Sequence, residues 1–285
     1  MKKQVVIFIH GIGTTKSGYS TKTQEILLKN MSSHGINISN NYFIFKELLW
    51  SHHSSTQELE LWNRLQNDTT SYGKKMDYHF LRKLFLLFIG DSFLYDEKSN
   101  IQNDIFTGLF KLIKEAQEEA INDGYDYEIT FVAHSLGTII LSDFLNEAKR
   151  KNHFFNNKIV NVFTFGSPLA IWSLKADLVS KVRPNIFYNK DIGTWTNILD
   201  DDDIIAYPLK PINKDFENCI DIDYITEIGK TYKPGVIFSH VSYWTDLNSL
   251  LPISKKLVMD YKRIYQDEEY NKETYHSFVK GLFNI

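Results

Sequence analysis

The chain has 285 residues with 32 basic and 35 acidic side chains, for a formal charge of −3. Hydrophobic residues make up 43% and charged residues 24%, with 14 glycines and 6 prolines, which excludes wholesale disorder and collagen-like repeats. The near-neutral balance argues against a dedicated nucleic-acid binder, which carries a basic face.

The length suffices for one domain, residues 1–285, to bury a sizeable core. Cys219 is the single cysteine, so no intramolecular disulfide and no Cys-rich zinc site can form. Lys2-Lys3 followed by the apolar run Val5 to Ile9 could mimic a signal peptide. The run stops at His10-Gly11, whereas a signal needs roughly 7–15 apolar residues and a cleavage site. Leu84 to Ile89, bracketed by Lys83 and Asp91, falls short of the roughly 18 residues of a membrane span. A cytoplasmic location is expected.

In chain order, residues 4–10 are a β-branched apolar run and predict a buried strand. A Gly/Thr/Ser-rich loop follows at 11–20, then a helix over 22–33 carrying Ile26, Leu27 and Met31. Tyr42 to Phe45 predict a second strand. Residues 56–66 and 76–89 read as helices rich in Leu, Trp and Phe. Residues 101–122 read as a long amphipathic helix striped by Ile105, Leu109, Leu112, Ile113 and Ala116, and Asn122-Asp123-Gly124 stops it. Residues 128–133 predict a strand, 138–150 a helix, 159–165 a strand ending at Gly166-Ser167-Pro168, and Trp195 to Leu199 a further strand. Strands that alternate with helices and are apolar throughout predict an α/β fold. Its sheet is mostly parallel and doubly wound, with helices on both faces. Sites in such sheets form in loops at the carboxyl ends of strands.

Ala133-His134-Ser135-Leu136-Gly137 sits between a predicted strand and a predicted helix. A serine on that sharp turn projects its hydroxyl off the sheet, and small residues are needed two before and two after it. A plain βα turn with a helix-capping serine accounts for the same five residues. At the end of the first strand, His10-Gly11-Ile12-Gly13 offers backbone N–H groups. Acyl transfer needs such donors for the oxyanion, and Ile12 with Leu136 would supply them. The alternative there is a phosphate-binding turn, but the third glycine of a dinucleotide fingerprint and the Gly-Lys-Ser/Thr of a P-loop are both absent.

A serine nucleophile needs a base oriented by a carboxylate, and in such sheets the order is Ser, acid, His. His153 lies in a basic stretch expected at the surface, and His276 in a polar tail-like setting. His240 follows the apolar run Val236-Ile237-Phe238 and is read as a base on a loop at a strand's end; a packed structural histidine is the other reading. For the acid, the strand through Leu199 leads into Asp200, Asp201, Asp202 and Asp203. Asp177, Asp191 and Asp215 remain alternatives, and so does a solvated acidic turn. A calcium loop would need alternating spacing and a glycine that the run lacks.

These segments, taken in order, resemble the α/β-hydrolase superfamily, and within it the lipase- and esterase-like branch. They are the His10-Gly11 strand end, the Ala133-His134-Ser135-Leu136-Gly137 elbow, Phe165-Gly166-Ser167-Pro168-Leu169, the Asp200 to Ile205 loop, and His240-x-x-Tyr243-Trp244. The Gly90-Asp91-x-x-Leu94-Tyr95 segment has the same character. The resemblance implies the α/β-hydrolase fold and a serine hydrolase that cleaves a carboxylic ester without metal or cofactor. Ser135, Asp203 and His240 would be catalytic, and Ile12 and Leu136 would form the oxyanion hole. His10, Gly11, His134 and Asp200 would support them. It also implies that residues 50–100, rich in Trp, Tyr and Phe, form a helical insertion roofing an apolar acyl pocket. The same aromatics would serve equally well as core of added helices. Residues 80–95 offer peripheral contact with a membrane surface, limited by Arg82, Lys83 and Asp91. His52-His53 are too close in sequence to converge as a ligand pair. A thioesterase or acyltransferase would use the same triad, and a silent binding module the same fold. The substrate would be a small-molecule or lipid ester.

Overall fold

Long β-branched and aromatic runs separated by amphipathic segments leave the chain few ways to bury its apolar side chains, and the parallel sheet is the one adopted. The computed structural model describes residues 1–12, 15–37, 41–50, 56–66, 82, 86, 95, 100–153, 155–174, 190–228 and 236–282. In chain order it contains β1 (Lys2–Ile9), α1 (Thr21–Ser33), β2 (Phe43–Leu48), α2 (Thr56–Gln66) and α3 (Asn100–Asn122). Next come β3 (Asp126–His134), α4 (Leu136–Arg150), β4 (Ile159–Phe165), α5 (Leu169–Trp172) and β5 (Thr194–Asp200). The last third holds α6 (Lys214–Cys219), β6 (Ile222–Thr226), α7 (Val236–Ser242), α8 (Leu247–Tyr265) and α9 (Lys272–Gly281).

The six strands form one sheet in the order β2-β1-β3-β4-β5-β6, and each neighbouring pair is parallel. Alternation along each strand sends its side chains to two cores. Val5, Ile7 and Ile9 of β1 and Phe131 of β3 face α3 and α4, whose Leu109, Ile113, Ile140 and Phe144 complete that layer. Val6, Phe8 and Val132 face the other way, against Leu27 and Met31 of α1, Leu250 and Leu257 of α8 and Tyr275 of α9. Burying each such side chain stabilises the fold by roughly 1.5–3 kcal/mol. The result is a doubly wound α/β fold.

The chain moves from β1 outward to β2, then returns to place β3 on the other side of β1. That reversal opens a crevice at the carboxyl ends of β1 and β3, where sites form in such sheets. The register pairs Ile9 with Ala133 and His134 with Phe165, so the turns after β1, β3 and β4 emerge side by side.

Four regions differ from expectation or extend it. The run Val236-Ile237-Phe238 is not a strand: it opens the seven-residue helix α7, which carries His240. Short apolar runs do not distinguish the two by periodicity. His153 is half-buried and packs on Phe110, with ring centroids 4.2 Å apart, so it is not a surface side chain. His276 belongs to α9 rather than to a polar tail. Of the expected insertion over 50–100, α2 is a helix. The predicted helix 76–89, apart from positions 82 and 86, lies outside the described residues, as do His52-His53, Gly13 and Gly90-Asp91. Among the described residues no helix is long and apolar enough to cross a membrane.

Candidate active site

Ser135 stands between β3 and α4, at the N-cap position, with φ 53° and ψ −127°, a conformation that L-residues rarely hold. The neighbours force it. Its N–H donates to the Phe165 carbonyl at 2.9 Å. Its carbonyl accepts from the Thr138 N–H at 2.9 Å and the Thr138 hydroxyl at 2.7 Å. That hydroxyl is thereby used as a donor and accepts in turn from Ser167, 2.8 Å away, which ties the Gly166-Ser167-Pro168 turn to the serine. Glycine at 137 is a steric requirement, because a Cβ there would lie 2.5 Å from the His10 carbonyl oxygen. Gly11 is equally constrained: its Cβ would meet that of Ser135 at 2.7 Å.

His240 faces the serine hydroxyl from α7. Its Nε2 lies 2.9 Å from Ser135 Oγ, and its Nδ1 lies 2.8 Å from Asp203 Oδ2. A carboxylate can only accept, so the proton sits on Nδ1 and the Nε2 lone pair meets the Ser135 O–H. All three side chains are buried. Gly166, at φ 52°, packs beneath the His–Asp bond; a Cβ there would stand 3.0 Å from Asp203 Oδ2 and 3.2 Å from His240 Nδ1.

The four aspartates after β5 separate cleanly. Asp203 turns inward, its N–H donating to the Asp200 carbonyl at 3.1 Å and its Oδ1 accepting from the Ile205 N–H at 3.1 Å. Burial pushes the Asp203 carboxyl up, but His240, the Ile205 amide and Tyr243 together hold it below the ordinary carboxylate value. Asp200 is also buried but does not reach the imidazole. Its oxygens accept from the Asp202 N–H at 3.0 Å and the Ile228 N–H at 2.6 Å, which clamps the end of β5 to the chain leaving β6. Burial raises its pKa. Asp201 and Asp202 point to solvent. Carboxylate oxygens of Asp200, Asp201 and Asp202 come within 4.8 Å of one another, yet both Asp200 oxygens already serve backbone amides.

The supporting residues surround this line. His134 Nε2–H donates to the His240 backbone carbonyl at 2.6 Å, pinning His240 by its main chain. Burial, then the neighbouring His240, lowers the His134 pKa to about 3, so it remains a neutral donor. His10 stacks on Trp50 at 5.0 Å. Its Nδ1–H donates to the Gly11 carbonyl at 2.7 Å, while its Nε2 accepts from the Trp50 N–H at 3.3 Å. The Trp50 indole N–H donates to the His10 carbonyl at 2.9 Å. Leu136 opens α4, so its N–H belongs to a first helical turn that has no i−4 carbonyl to meet it. Ile12 lies half-buried beyond β1, on the loop that Gly11 brings against the serine.

Trp50, Thr138 and Tyr243 also take part in the site, and sequence reasoning alone assigns them no role there. Tyr243 stands three residues after His240, in the turn that follows α7. Thr138 is three residues after Ser135, the position from which a hydroxyl returns to a backbone carbonyl.

No protein-family model matches the chain, and no curated protein sequence matches it. Two solved structures of phospholipase PlaB from Legionella pneumophila align with it. The structure in complex with thio-NAD does so with TM-score 0.35 and 12% identity, covering 70% of this chain and 38% of that one. The second has TM-score 0.34 and 13% identity, covering 70% and 39%. The chain thus spans about two fifths of the length of those structures. Similarity at that level speaks to neither activity nor substrate.

Proposed function

We propose that the protein is a serine hydrolase of the α/β-hydrolase kind that cleaves carboxylic esters. The observation that supports this reading is the continuous line Ser135 Oγ–His240 Nε2 at 2.9 Å and His240 Nδ1–Asp203 Oδ2 at 2.8 Å, with the serine held at φ 53°.

In this mechanism Ser135 Oγ attacks the ester carbon while its proton passes to His240 Nε2. Asp203 stabilises the imidazolium that forms. The N–H groups of Ile12 and Leu136 receive the oxyanion, aided by the positive end of α4. Collapse of the tetrahedral intermediate expels the alcohol, which takes the proton from Nε2 and leaves an acyl-serine. Water then repeats the sequence, with His240 as base, and releases the acid. His10 and Gly11 shape the oxyanion loop, and His134 and Asp200 hold the loops that bring acid and base together. The aromatic-rich segment over 50–95 favours an apolar acyl group, as in a lipid or long-chain ester.

A panel of p-nitrophenyl esters from acetate to decanoate, with thioesters and phospholipids beside them, tests the reading. Turnover that rises with acyl length and disappears in Ser135→Ala supports it. Acetate cleaved far better than decanoate refutes the apolar-acyl part. No turnover of any ester by folded protein refutes hydrolysis altogether.

A further inference from the structure

One buried hydroxyl stands where the acid and its loop meet. Tyr243 is fully buried, its ring stacked on Phe165 at 5.7 Å and tilted against His134 at 5.8 Å, and Gly166 leaves room for its edge. Its hydroxyl makes two bonds of opposite sense. It accepts from the Asp200 N–H at 2.7 Å and donates to Asp203 Oδ2 at 3.0 Å. That oxygen is the same one that accepts from His240 Nδ1. Oδ1 of Asp203 is held by the Ile205 amide, so every polar contact of the carboxylate is with a group fixed in the fold.

We infer that Tyr243 is a positioning residue for the proposed reaction, setting both the orientation of Asp203 and the charge that its Oδ2 presents to His240. The inference rests on the hydrolase reading for its kinetic consequence but not for the contact itself. A phenol that donates to Oδ2 draws charge from the oxygen facing the imidazole. It also locks the carboxylate in the plane that Nδ1–H requires. Burial, and then the charge of Asp203, push the Tyr243 pKa well up, so the hydroxyl keeps its proton and can only play this donor part toward the acid. Because the Asp200 amide points at the same hydroxyl, the acid loop and the helix carrying the base are joined at one atom.

Tyr275 supplies the control. It is as buried as Tyr243, and its hydroxyl pairs with Thr196 Oγ1 at 2.9 Å, away from the acid loop. Tyr243→Phe and Tyr275→Phe therefore remove the same group at the same burial, and only the first touches Asp203. Tyr243→Phe is expected to slow labelling of Ser135 by a fluorophosphonate about tenfold, the low end for a hydrogen bond to a charged group, because the lost orientation of Asp203 outweighs the charge returned to Oδ2. It should lower kcat while KM for a p-nitrophenyl ester stays within about twofold. It should also move the low-field proton resonance of His240 Nδ1–H, assigned by its loss in Asp203→Asn. Tyr275→Phe should change none of these. Equal labelling rates and an unmoved resonance in the two variants would overturn the inference. Should Tyr243→Phe fail to fold, 3,5-difluorotyrosine at 243 keeps the shape and sharpens the donor. The same resonance must then shift, and its constancy would overturn the inference equally. If the wild type is not labelled at all, the hydrolase reading fails, while the resonance comparison still decides whether Tyr243 governs the Asp203–His240 bond.

Discussion

Polar groups are buried at both ends of the sheet, by different means. Toward the amino ends of the strands, Lys256 reaches Asp260 at 2.5 Å within α8, and Asn161 of β4 donates to Asp260 at 2.8 Å and to Thr130 at 3.0 Å. Arg263 and Lys2 pair with Glu128 of β3. Every one of these residues has ordinary strand or helix geometry. Two buried atoms among them, Asn161 Oδ1 and Arg263 Nε, and Oε1 of neighbouring Gln4 have no hydrogen-bond partner among the described residues. At the carboxyl ends the Ser135–His240–Asp203 line is built differently. Its polar atoms are paired, and the backbone carries the strain at Ser135, held at positive φ. Buried charge alone therefore marks a structural network here. Strain that several loops jointly impose marks the place where chemistry is proposed.

The sharpest way to break this contrast is at the serine. Ser135→Ala should remove esterase turnover by a factor on the order of 10⁶ and leave the melting temperature within a few degrees, because triad members act as a unit. Asp203→Asn should follow at about 10³–10⁴ in kcat, since an amide can neither hold the required tautomer nor stabilise the imidazolium. Asp200→Asn should fall between Asp203→Asn and wild type, as one clamp of the loop weakens. A dead Asp200→Asn beside a healthy Asp203→Asn would reverse the assignment of the acid.

The opposite end should respond in stability alone. Lys256→Met removes the nearest cation from the buried Asp260 carboxylate, leaving it Asn161 and Arg263 at 3.5 Å, and should cost about 3 kcal/mol in urea unfolding, with kcat per folded molecule unchanged. A loss of kcat as large as that of Asp203→Asn would erase the distinction between the two ends.

His134 predicts a smaller, pH-dependent effect. Its folded pKa of about 3 lies below the unfolded value of 6.5, so the unfolded chain binds the proton first. The stability it contributes is complete above pH 6.5 and is lost as the pH falls toward 3, by at most about 1.4 kcal/mol per pH unit. Urea titrations at pH 7.5, 6 and 5 should show a shallower decline for His134→Gln than for wild type. Smallest of all, Asp201→Asn and Asp202→Asn should leave kcat near wild type, as both side chains are solvated.

The parallel sheet and the serine turn are legible in the residues themselves. A strand with continuous apolar character and no gap in its pattern, such as Val5 to Ile9, declares a parallel sheet because both its faces are buried. The serine turn is legible because sterics restrict what can flank it. The acid is harder. Nothing local distinguishes four adjacent aspartates, and the choice depends on which one the turn closed by the Asp203 N–H to Asp200 carbonyl bond rotates inward. Helix α7 escapes a reading by pattern because three β-branched and aromatic residues suit a strand equally well, and β6, at five residues, is too short for its pattern to place it. Tyr243 is visible as a residue but not as a role, since its two bonds join segments 40 positions apart in sequence or more.

The proposed hydrolase stands or falls with Ser135 as a nucleophile activated by His240. The most direct test is intact-mass analysis and peptide mapping after exposure to a fluorophosphonate. One adduct is expected, on the peptide containing Ser135, absent from Ser135→Ala and strongly slowed in His240→Ala. A folded wild-type sample that takes up no adduct, or an adduct that persists in Ser135→Ala, would contradict it.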